Sequence, residues 1–93
     1  MSTLTPTVLD VSEYEAPEPM RLILQSLPKL QPGQLLLVKH RKEPTLLYPK
    51  LIEAGFRFIT IELKSTTASQ FEIGICYECD LEALQQYFKS SKA

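Results

Sequence analysis

The chain has a single histidine, His40, and only two cysteines, Cys76 and Cys79, among 93 residues. One imidazole cannot build a metal centre alone, and two thiols three residues apart do not make a disulfide framework. An excess of either charge is also lacking. Ten basic residues against eleven acidic ones leave a net charge of −1. That balance disfavours nucleic acid and anionic membranes as electrostatically held partners. No apolar run reaches about 18 residues, so no membrane span is expected. The start, Met1-Ser2-Thr3-Leu4-Thr5-Pro6, has no basic residue ahead of an apolar block and does not read as a signal peptide. A reducing, cytoplasmic setting is expected. The sequence has no repeats and no internal linker.

What is present is an ordinary apolar fraction, 44%, enough for one small core. Residues 1–6 read as a flexible terminus. Thr7–Val11 reads as a strand and Ser12–Ala16 as a loop carrying Glu13 and Glu15. Prolines 17 and 19 lack backbone donors, which the first turn of a helix tolerates. Met20, Ile23, Leu24 and Leu27 then fall at helical spacing, predicting a helix from about Pro17 to Leu27 or Leu30, limited by Pro28. Gln31-Pro32-Gly33 is a turn signal, and the apolar run Leu35–Val38 predicts a buried central strand.

Pro44 opens a second helix with Leu47, Leu51 and Ala54 on one face. Pro49 predicts either a kink or a regular helix only from that residue onward. Gly55 fits its end. Phe56–Leu63 reads as a third strand. Gln70–Glu78 reads as a fourth, with Phe71, Ile73, Ile75 and Tyr77 alternating against Glu72, Gly74, Cys76 and Glu78. Asp80 is expected to cap a short last helix, Leu81 to about Phe88.

The order β-α-β-α-β-β predicts an α+β two-layer sandwich with a mixed four-stranded sheet and both crossover helices on one face. Residues 7–79 would form the domain, and 80–93 a C-terminal helix and tail. Phe58 and Cys76 are expected on the sheet face turned away from the main core. The C-terminal helix or a second subunit would cover that face; a monomer or homodimer is expected.

Leu9-Asp10-Val11 followed by Ala16-Pro17-Glu18-Pro19 at a helix entry resembles the signature of the TusA/SirA-like sulfur-carrier superfamily, which has Cys-Pro-x-Pro. Within it the chain is similar to the DUF2249 family of small bacterial proteins of uncharacterised function. The similarity extends to His40-Arg41-Lys42-Glu43-Pro44-Thr45-Leu46-Leu47-Tyr48, and covers about Leu9 to Tyr77. It implies a TusA-like fold. Sulfur carriers hold sulfane sulfur on the cysteine of that motif. Position 16 here is alanine, so the resemblance does not carry the sulfurtransferase chemistry over. Relatives often have a second histidine where this chain has Lys42.

Ligand sites in such sheets lie beyond the carboxyl ends of parallel strands. That places Glu15, Ala16, Glu18, His40, Arg41, Lys42 and Tyr48 at one candidate binding edge, suited to a protein partner or a small anionic ligand. The bland alternative is a solvated charged loop. Cys76 and Cys79 are the candidate redox or sulfur-relay pair, against the alternative of small residues at a strand end. Phe56, Phe58, Phe71 and Tyr77 allow an RNA-stacking face, though Arg57 is the main basic residue among them. A non-catalytic binding module, without cofactor or metal, is the favoured reading. A redox or sulfur-relay accessory and an RNA-binding module are the alternatives.

Overall fold

A computed structural model describes residues 4–15, 18–64 and 69–90. The elements are β1 (Thr5–Asp10), α1 (Glu18–Ser26), β2 (Gln34–His40), α2 (Tyr48–Glu53), β3 (Phe56–Lys64), β4 (Ser69–Tyr77) and α3 (Leu81–Ser90). Short 3-10 turns follow α1 (Leu27–Lys29) and precede α3 (Glu78–Asp80). The expected helix entry at Ala16 and Pro17, residues 65–68 of the polar loop expected over Lys64–Ser69, and residues 91–93 of the expected tail lie outside the described residues; Lys64 and Ser69 themselves belong to β3 and β4.

The mixed four-stranded sheet has the order β1-β2-β4-β3. β1 and β2 pair in parallel; β4 pairs antiparallel with both β2 and β3. The second crossover therefore does not bring β3 beside β2. The β3–β4 hairpin folds β4 back into that place and sends β3 to the edge. β1 is the other edge, where Pro6, which cannot donate to a ladder, is tolerated.

β2 explains the layering. Leu35, Leu36, Leu37 and Val38 are all buried because both faces of this strand are covered. Leu36 and Val38 join Ile73, Ile75 and Phe56 beneath α1 and α2, with Ile23, Leu27, Leu47 and Leu51. Leu35 and Leu37 join Cys76 beneath Leu84 and Phe88 of α3. The C-terminal helix is thus the cover of the second face. Gly74 of β4 lets it approach: a β-carbon there would fall 2.5 Å from Phe88 Cε2 and 2.9 Å from Leu84 Cδ1.

Several boundaries and faces depart from the sequence pattern. Leu4 is buried and Thr5 begins β1, donating to the Gly33 carbonyl at 3.1 Å, so the strand starts two residues early. Phe58 does not share a face with Cys76. It stands opposite Ile75, and directly paired residues point the same way, so Phe58 belongs to the α1–α2 core. Leu24 is exposed, because α1 turns Pro19, Ile23 and Leu22 inward instead. α2 begins only at Tyr48. Pro49 then sits in the first turn, where its missing donor costs nothing, and Gly55 ends the helix at φ +89°. β4 stops at Tyr77, and Asp80 closes the 3-10 turn that runs into α3. Its carboxylate accepts from the Gly33 amide at 2.8 Å, tying the β1–β2 end of the sheet to the last helix.

Candidate functional site

Parallel β1 and β2 end side by side, and their exit loops face each other. Asp10 fixes the first exit. Its Oδ1 accepts from the Ser12 amide (2.9 Å) and hydroxyl (2.6 Å), and these bonds hold its carboxyl below the usual carboxylate range. The Val11 amide donates to the Lys39 carbonyl at 2.9 Å, joining the two exits. The second loop runs from His40 to Leu46. Leu47, fully buried, anchors it to the core.

Between these loops and the start of α1 lies a cleft of about 550 Å³. Tyr14, Glu15, Pro19 and Met20 line one side. His40, Arg41, Lys42, Glu43, Pro44, Thr45 and Leu46 line the other. Four residues singled out from the sequence therefore meet there: Glu15, His40, Arg41 and Lys42.

His40 Nδ1 accepts from the Lys42 amide at 3.1 Å, which leaves the ring neutral with its proton on Nε2. Burial, then the charges of Arg41 and Lys42, keep its pKa below the ordinary value. Arg41 Nη2 reaches the Tyr14 carbonyl across the cleft at 3.5 Å.

Tyr48 and Glu18 do not line the cleft. The Tyr48 hydroxyl donates to Glu43 Oε2 (3.2 Å) and lies 2.6 Å from Thr60 Oγ1, while its ring stacks on Phe58 at 4.2 Å. With its one proton given to Glu43, it accepts from Thr60. It thus braces Glu43 from behind. Glu18 is paired with Arg21, which lowers its pKa. Ala16 lies outside the described residues. Leu46, Tyr14 and Met20 join the cleft without having been sequence candidates for it. The signal for Leu46 was available: adjacent leucines in a turn cannot both face the core, so burial of Leu47 turns Leu46 outward.

The cysteines are both free. Cys76 is buried under α3, and burial, then the charges of Asp80 and Cys79, push its thiol up to about 12. Cys79 is exposed on the 3-10 turn. No group of three or more His, Cys, Asp or Glu that could hold a metal occurs among the described residues. The aromatic sheet face is core: Phe56, Phe58, Phe71 and Tyr77 pack beneath α1 and α2, and Arg57 pairs with Glu78 at 2.8 Å.

Residues 8–76 match the family model described as "Uncharacterized conserved protein (DUF2249)". The chain belongs to the DUF2249 family. The matched span begins in β1, takes in both loops of the cleft and ends at Cys76, before α3. Comparisons with curated proteins and with solved structures gave no match. No helix among the described residues of this DUF2249 chain is long and apolar enough to cross a membrane.

Proposed function

We propose that this DUF2249 chain is a non-catalytic binding module that takes a protein partner or small anionic ligand at the cleft between its strand-end loops. The observation that carries the reading is the convergence of His40, Arg41 and Lys42 with apolar Tyr14, Met20 and Leu46 around one concavity. A mostly apolar concavity with a few polar groups is the common form of a ligand site. The resemblance to sulfur carriers is read as shared architecture without shared chemistry. Alanine at position 16 offers no nucleophile for sulfane sulfur. A thiol held near 12 at Cys76 is almost wholly protonated at neutral pH, and the thiolate is the reactive form, which favours binding over a sulfur relay. A bacterial cytoplasm is the proposed setting; two unpaired cysteines fit its reducing conditions.

The test is recovery on the immobilised full chain from cell extract, reading both retained proteins and retained small molecules. The His40→Ala/Arg41→Ala variant should lose what the natural sequence retains. Equal recovery removes the cleft from consideration. Transfer of persulfide sulfur through the purified chain would overturn the non-catalytic reading.

A further inference from the structure

We infer that the cleft takes a small organic anion: a single carboxylate head held by Arg41 and Lys42, with an apolar body lying against Met20, Tyr14 and Leu46. This names the ligand class for the site proposed above and rests on that reading.

The cleft volume, about 550 Å³, suits a small molecule, within the roughly 300–1,000 Å³ typical of such sites. Its cations are uncommitted. The ion pairs among the described residues are Arg21–Glu18 and Arg57–Glu78, neither of them in the cleft. Arg41's contact with the Tyr14 carbonyl, at 3.5 Å, is at the limit of a hydrogen bond, so little holds the guanidinium back from an incoming carboxylate. With Nδ1 occupied by the Lys42 amide, His40 keeps an Nε2–H as a further donor.

The two glutamates of the lining set the charge of the guest. Glu43 is braced by Tyr48, while Glu15 is exposed. The two carboxylates offset the two cations, so the cleft lacks the surplus positive charge a doubly charged phosphate would need, while Arg41 and Lys42 can still grip one carboxylate locally.

The apolar body follows from exposed surface at the same place. Leu46 is 78% exposed and Tyr14 49% exposed. A single exposed leucine is ordinary, but here it flanks a cleft with a second large apolar side chain on the other loop. Covering them would add a hydrophobic contribution that a bare anion cannot.

Isothermal titration of the full chain with octanoate, octylammonium and inorganic phosphate tests this. Octanoate should bind in the millimolar range or tighter, and each of the other probes at least about tenfold more weakly. Arg41→Gln/Lys42→Gln should weaken octanoate by about tenfold or more, the loss of a charged hydrogen bond. Leu46→Ser should weaken it about threefold or more while leaving phosphate unchanged. All three residues are exposed or on the rim, and thermal melts check that the variants stay folded. Phosphate binding as tightly as octanoate, octylammonium doing so, or indifference to Arg41→Gln/Lys42→Gln would each overturn the proposal. If octanoate fails while recovery from extract still depends on His40 and Arg41, the ligand class falls and the binding module stands. If both fail, both fall.

Discussion

His40 is the residue whose chemistry is most constrained. Its neutral form is favoured by burial, by two flanking cations and by the amide hydrogen bond to Nδ1, which protonation would break. Its folded-state pKa therefore lies below the ordinary 6.5. As pH falls, the unfolded chain takes up this proton first. The stability linked to His40 is fully present above about 6.5 and is lost as pH falls toward the folded value. Urea unfolding from about pH 7.5 to about pH 5 should show a fall in stability that His40→Gln reduces in the window just below 6.5; parallel curves for the two chains would refute the assignment. The cysteines make a second prediction at this scale. Cys79 should be alkylated in the native chain and Cys76 only on unfolding, so intact mass should show one adduct natively and two in denaturant. Two rapid native adducts would mean that α3 does not shield the strand.

At the scale of elements, α3 and β4 depend on a missing side chain. Glycine to alanine in a strand ordinarily stabilises by removing unfolded-state freedom. At Gly74 the added methyl meets Phe88 and Leu84, so Gly74→Ala should cost about 1–3 kcal/mol. The same change made in a Phe88→Ala background should cost less, because the ring that blocks it is gone. Equal costs in both backgrounds would place the strain elsewhere. The strand patterns were legible because alternation and short apolar runs are local signals. The start of α2 was half legible: Pro44 and Pro49 can each open a helix, and in the structure the helix begins only at Tyr48, after buried Leu47. Of the face expected for α1, Met20, Ile23 and Leu27 turn inward and Leu24 does not; Leu22 and Leu24 are equally apolar. Which one is buried depends on how the helix lies across the sheet, and sequence spacing does not contain that.

At the scale of the whole molecule, strand order was the part the sequence could not supply. A helix between two strands predicts parallel pairing; β1 and β2 pair so, whereas β2 and β3 run parallel without pairing. The hairpin partner β4 nevertheless occupies the place between them. The consequence is geometric. With β3 displaced to the far edge, the parallel ends of β1 and β2 are left together, and their two loops enclose the cleft. The charged half of the cleft was legible, since His40–Lys42 and Glu15 leave strands that must be neighbours. Its apolar half was not, because Met20 and Tyr14 are ordinary core or loop residues until the two loops meet. Tyr48, in the right segment, was turned to Phe58 and Glu43 by its place in the first turn of α2.

The proposed place of binding is this meeting of two loops. Amide chemical shifts of the isotope-labelled full chain, followed as octanoate is added, test it most directly. Saturable shifts are expected at Tyr14, Glu15, Met20, His40–Lys42 and Leu46, with the amides of β3 and α3 unmoved. Shifts centred on α3 and the Gly74 face, with the cleft amides unchanged, would contradict it.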